Sequence, residues 1–242
     1  MTKPTTGSPC RRCGICCRKG GPGLHHADRF LVEEGRIPLE RLFTIRAGET
    51  VYDNVQDRHH RTDRDIIKIK DKPEGGGCTF LNGKGNGCDH YEDRPLECRL
   101  LNCRDTRKIE AVYSRRRLVR RDLLGNIQGL WELVADHQDR CDPRKVLRLL
   151  RVGDPQGPSF SGPLDSGNRT SRTVAELNAV LQYDLNLREV LAEKGIIHRE
   201  GIDFLLGRPL WRVLRPFGIH IQRKGERLIW LKSDPKAEKT TC

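Results

Sequence analysis

The chain has 242 residues, 36% hydrophobic and 32% charged, and its 45 Lys and Arg against 33 Asp and Glu give a formal charge of +12. No apolar stretch approaches the ~20 residues of a membrane span, and Met1 to Pro9 lacks the apolar core of a secretory leader. A cytoplasmic protein without a membrane partner is therefore expected, in a compartment where disulfides are disfavoured.

The charge is spread evenly. The chain through Arg140 has 27 basic and 21 acidic residues and the remainder 18 and 12, so neither part is a basic tail. With a lean apolar fraction, metal cross-links would offset the small core, because a site absent from the unfolded chain adds its binding energy to folding.

Cysteine dominates the first part. Cys10, Cys13, Cys16 and Cys17 fall within eight residues, and Cys78, Cys88, Cys98 and Cys103 within twenty-six. Thiols this dense hold a soft metal or do redox chemistry. Between the groups, Ile67 and Ile69 alternate with Lys68 and Lys70, the pattern of a half-buried strand. Glycines at 75–77 and 83–87 let the backbone bend tightly around an ion. Pro95 suits the first turn of a helix carrying Cys98 and ending near Cys103. A longer helix is expected through Leu123, Leu124, Ile127, Leu130, Trp131 and Val134, with that stripe facing the core.

The Gly-, Pro- and Ser-rich stretch from Gly153 reads as a linker. The expected division is a cysteine-cluster domain over 1–151, a linker over 152–170 and a small basic module over 171–242 that ends in a polar tail. In that module a helix through Val174 to Leu187 is expected to turn or break near Asp184, followed by a helix over Asp203 to Arg215 and a hairpin through Ile219 to Leu231. The fold class is thus α+β: a cysteine-rich metal-binding domain with short strands and flanking helices, plus a helix-helix-hairpin module compatible with a winged helix.

Four thiolates suit a tetrahedral zinc site or an iron–sulfur cluster, and spacing does not choose between them. In extended backbone Cys16 and Cys17 would point to opposite sides, so they are expected to serve different ions. The set Cys10-x2-Cys13-Gly14-x-Cys16-Cys17, Cys78-Thr79-Phe80-Leu81, Cys88-x2-Tyr91-x2-Arg94-Pro95-x2-Cys98-Arg99 and Cys103 resembles the CxxCxxCC cysteine-cluster family, also called YkgJ-like, over roughly residues 10 to 103. The resemblance implies chelation of zinc or iron by those eight cysteines. Flagellin lysine N-methylases carry a similar cluster, but no Gly-rich dinucleotide-type fingerprint accompanies it here.

Arg94, between cysteines, either stabilises thiolate charge or pairs with Glu92, Asp93 or Glu97. The pairs His25-His26 and His59-His60 are expected at the surface, with His90 the best histidine candidate for a ligand. Cys141 and Cys242 are expected to be free thiols. Arg115 to Arg117 and Arg120-Arg121 read as a solvated helix face, with phosphate contact as the sharper alternative. No nucleophile-and-base constellation or P-loop is present, and a fully protein-ligated metal leaves no open position for water activation. The expected function is metal binding by a cysteine cluster. The alternatives are an iron–sulfur accessory to electron transfer or modification of a protein partner, and a metal-stabilised regulator that binds nucleic acid.

Overall fold

The structure is a computed structural model that describes residues 10, 12–82, 87–150, 171–217, 219–224 and 227–232. The expected linker at 152–170 and the tail with Cys242 lie outside these residues. The described residues form helices and three small antiparallel two-stranded sheets, a mixed α+β architecture. In chain order come α1 (Ile15–Arg18), α2 (Arg29–Glu33), β1 (Leu42–Ile45), β2 (Thr50–Asp53), β3 (Arg58–Arg61) and β4 (Ile66–Ile69). Then follow α3 (Leu96–Leu100), α4 (Arg107–Glu110), α5 (Arg120–Leu124), α6 (Leu130–Arg140) and α7 (Pro143–Leu149). From residue 171 onward come α8 (Ser171–Glu193), α9 (Ile202–Leu205), α10 (Leu210–Leu214), β5 (Ile219–Lys224) and β6 (Arg227–Lys232).

The expected strand at Ile67 and Ile69 is β4, which pairs with β1 in the register Leu42↔Ile69 and Thr44↔Ile67. Its alternation works as the period of two requires: Ile67 and Ile69 are buried, and Lys68 faces the other side. The C-terminal hairpin also forms, with β5 and β6 antiparallel.

Three helices differ from expectation. The helix expected from Leu123 to Val134 is two, α5 and α6, because Gly129 caps α6 with a φ of 79°, outside any helical conformation. The expected break near Asp184 is absent: α8 runs for 23 residues. Asp184 turns inward to accept hydrogen bonds, so a polar residue that reads as punctuation is an interior anchor. The single helix over Asp203 to Arg215 is α9 and α10, divided where Gly207 adopts φ 77° and Pro209 caps the second helix.

Burial joins the residues before 151 to those after 170. Phe204, Leu205, Leu206 and Leu191 pack in one cluster with Leu24, Leu42, Ile67 and Leu118. Thr44 of β1 donates its hydroxyl to Phe204 O at 2.7 Å. A second cluster joins Val146, Leu147 and Leu150 of the α7 segment to Leu177, Leu181, Leu210 and Leu214.

Candidate metal centre

The CxxC turn is built from backbone that favours small residues. Arg12 and Gly14 both take the left-handed conformation, with φ of 52° and 73°, which folds Cys10 to Cys17 into a compact knuckle. Gly14 caps α1, placing Cys16 and Cys17 on consecutive helical positions. Their Sγ atoms lie 3.9 Å apart. The edge of a tetrahedral site with ~2.3 Å metal–sulfur bonds is ~3.8 Å, so this pair matches a shared ion. The expectation of opposite orientations failed because the segment is helical rather than extended.

The second cysteine group is brought up by three devices. Gly77, with φ 77°, lets the chain pass so close to α1 that Cys78 donates its backbone N–H to Cys17 O at 2.7 Å. A short antiparallel bridge pairs Leu81 with Cys88. Pro95 caps α3, which carries Cys98; α3 ends at Leu100, short of Cys103. Together these place seven thiols, Cys10, Cys13, Cys16, Cys17, Cys88, Cys98 and Cys103, around a single cavity of about 520 Å³. Cys78 lies behind it, buried against Cys17. All nine cysteines of the described residues are free, so none of the eight is consumed in a disulfide.

Electrostatics define what the cavity accepts. Burial, then the charge of Cys16, pushes the Cys17 thiol up to about 12, and burial pushes Cys78 up to about 11. Cys98 is raised well above the ordinary thiol range by burial and then by Cys78, Cys16, Cys17 and Cys88. Cys16 and Cys88 are raised by burial too. Bare, these thiols hold their protons at neutral pH. A bound cation inverts that order, since coordination deprotonates a thiol outright.

Arg94 takes the thiolate side of its two expected roles. Its guanidinium stacks on Tyr91 at 3.6 Å, with Arg12 on the same ring at 3.7 Å. Its Nε donates to Tyr91 O at 2.8 Å, and its charge lowers the Cys88 thiol against burial. The cavity wall is thus cationic where the thiols are dense.

Of the pairs expected at the surface, His26 and His59 are exposed and His60 is half-buried, whereas His25 departs from the expectation. His25 is buried, bonded to Arg115 O and Glu97. His90 stacks on Phe80 with ring centroids 4.5 Å apart and does not line the cysteine cavity. The basic run is also less solvated than expected. Arg120 is 2% exposed, held by Asp65, Gln138 and Leu205 O, and Arg117 lies beside Glu97. Both arginines face acceptors contributed by distant segments, which local pattern does not reveal.

One group of ligand-type residues escaped the sequence: His137, Cys141 and Asp184 are buried with ligand atoms within 4.8 Å of one another. Asp184 is already committed to His137 Nε2 at 2.8 Å, Arg188 Nε at 3.0 Å and Leu210 N at 2.9 Å. Arg46 donates to Cys141 O at 3.0 Å, so two guanidiniums flank the group. That disposition fits an interior hydrogen-bond network better than a dication.

Gly77 supplies a direct probe of this architecture. A Cβ there would lie 2.5 Å from Cys17 O and 2.7 Å from Arg18 Cα, whereas at Gly75, with φ 74°, it would meet nothing within 4 Å. Gly75→Ala carries only the left-handed penalty of about 1–2 kcal/mol. Gly77→Ala adds a backbone clash and is expected to lower the melting temperature by at least about twice as much and to reduce bound metal. Calorimetry and metal analysis on the two variants check this; equal effects would contradict the close packing of Cys78 on Cys17.

Among the described residues no helix is long and apolar enough to cross a membrane. No curated protein and no solved structure matches the chain. Residues 9–115, under half of the chain but with all eight clustered cysteines, match the CxxCxxCC family, whose description is "Putative zinc- or iron-chelating domain".

Proposed function

We propose that this protein binds metal through Cys10, Cys13, Cys16, Cys17, Cys78, Cys88, Cys98 and Cys103, in a YkgJ-like centre that holds more than one metal ion. The carrying observation is the convergence of seven thiols from two distant stretches on one cavity, with the eighth packed behind it. Eight thiolates exceed what one tetrahedral ion uses, and two zinc sites or an iron–sulfur cluster with spare cysteines both account for them. Bound there, zinc would supply folding energy, and an iron–sulfur cluster would supply one-electron chemistry. A reducing compartment such as the cytoplasm keeps the thiols available.

The protein's own residues set the charge of the site. Arg12 and Arg94, stacked on Tyr91, offset the negative charge of a thiolate-rich centre and offer N–H donors towards sulfur. Anaerobic purification followed by metal and sulfide analysis and a visible spectrum tests the proposal. About two zinc ions in a colourless protein indicates a structural centre. Iron and labile sulfide, on the order of four each, with broad absorption near 400 nm indicate a cluster with an electron-transfer or protein-modification role. A freshly purified protein free of either metal that also takes up neither on anaerobic reconstitution would refute it.

A further inference from the structure

A second pocket of about 260 Å³ lies on the other side of α3 from the cysteine cavity, where the β2–β3 hairpin, β4 and the Tyr113–Arg117 segment meet. Cys98 lines the first cavity and its neighbour Glu97 lines this one.

Arg64, Lys68 and Arg117 line the pocket beside Asp53, Asp63 and Glu97, so its formal charges balance; Arg64 is paired with Asp63, and the donors of Lys68 and Arg117 stand out. Lys68, projecting from β4 opposite buried Ile67 and Ile69, lines it and has no hydrogen bond or ion pair among the described residues. Arg117 rests on the Tyr113 ring at 4.6 Å and meets Glu97 only at 3.6 Å, leaving its guanidinium without a hydrogen bond among the described residues. Glu97 is the shared acid, and its oxygens already accept from Gly23 N at 2.8 Å and His25 Nε2 at 3.1 Å. Asp53 is spent on its own turn, accepting from Val55 N and Gln56 N. His60, also in the lining, has a buried Nδ1 with no partner. Burial lowers the Lys68 ammonium against the pull of Glu97 and Asp71, as expected of a cation short of acceptors.

We propose that this pocket binds a small oxyanion, a phosphate or carboxylate group, with Lys68 as its point charge and Arg117 as its planar donor fork. An ammonium and a guanidinium converging on one concave site are the donor set for such groups. The volume equals about nine waters at ~30 Å³ each, enough for the anion and a few further atoms. It lies at the lower end of ligand pockets, which run from roughly 300 Å³. A nucleotide is too large for it.

The probes are inorganic phosphate and malonate, titrated at low salt into the full chain purified with its metal. Saturable binding of at least one is expected, with amide shifts in a nitrogen–proton spectrum centred on His60, Lys68 and Tyr113–Arg117. The stronger probe identifies whether phosphate or carboxylate is preferred. Lys68→Met is expected to weaken binding at least about tenfold, Lys68→Arg to retain it within about threefold, and both to leave metal content unchanged. No saturation by either anion at about 10 mM, shifts confined to the Arg12, Tyr91 and Arg94 wall, or Lys68→Met binding like the parent would each overturn the proposal. The wild-type shift map decides the matter even if a variant folds poorly. Because metal content is read separately, failure here leaves the metal proposal standing, and the converse also holds.

Discussion

Cys98→Ser is expected to weaken metal binding steeply and to destabilise the region around it. Cys98 lines the cavity from α3, and its thiol is raised by burial and then by the charges of four other cysteines around it. A serine hydroxyl fills nearly the same space but does not ionise at neutral pH and is too hard a donor for a soft-metal site. Four-thiolate zinc sites contribute about 10–16 kcal/mol of binding. One ligand of four is then worth roughly 3 kcal/mol, or on the order of a hundredfold in affinity. Competition with a chromophoric chelator reads this directly, and circular dichroism reads the accompanying loss of structure. Cys103, which is exposed at the rim, should matter less when changed in the same way. Cys141→Ala, in the core away from the cavity, should leave metal stoichiometry unchanged while lowering stability. Unchanged metal affinity in Cys98→Ser would remove the cavity from consideration as the metal centre.

The contrast between Cys98 and His137 shows what local sequence carries and what it does not. The eight cysteines are legible because chemistry alone makes such density informative, and β4 and the β5–β6 hairpin because their patterns are local. The 3.9 Å pairing of Cys16 with Cys17 was not legible. It depends on whether the segment is helical or extended, and a left-handed glycine at the start of α1 decides that. Nor was the role of Arg117 and Arg120, since their acceptors Glu97 and Asp65 lie 20 and 55 positions away. A run of arginines looks solvated until the segments opposite it are known. Asp184 misled for a related reason: a mid-helix aspartate reads as a break when two of its partners, His137 and Leu210, lie 47 and 26 positions away and only Arg188 is on its own helix. Polar residues at element ends and polar residues that knit the interior look the same in one dimension.

Asp184 is accordingly where a single neutralising change should do the most damage outside the cysteines. It is 1% exposed, and its carboxylate accepts from a histidine, a guanidinium and a backbone amide. Burial raises its carboxyl, but the charge of Arg188, the hydrogen bond from His137 and the charge of Arg46 outweigh that and hold it well below the usual carboxylate range. Asp184→Asn removes one counter-charge from Arg188 and Arg46, leaving them Asp203 and Glu49 respectively, and points an amide N–H at one of three donors. Breaking a buried pair in this way costs about 3–5 kcal/mol, a fall of roughly 10 °C or more in melting temperature for a chain of this size. His137 adds a pH dependence of the same origin. Burial lowers its imidazole to about 4 despite the nearby aspartate, with Arg46 opposing its charge, so the folded protein holds it neutral. Unfolded, the imidazole titrates near 6.5. Between those values the unfolded chain binds the proton and the folded chain does not, so stability rises with pH there and is lost on acidification, by on the order of 3 kcal/mol in all. The Asp184 contribution has the same sign but is lost only below about 3.8, as pH falls towards its depressed folded value. Denaturant unfolding at pH 7, 6 and 5, with metal content measured at each point, should show this slope in the parent protein and a shallower one in His137→Gln. A slope unchanged by that substitution would mean that acid acts through the thiolate centre alone, and that His137 titrates alike in the folded and unfolded chain.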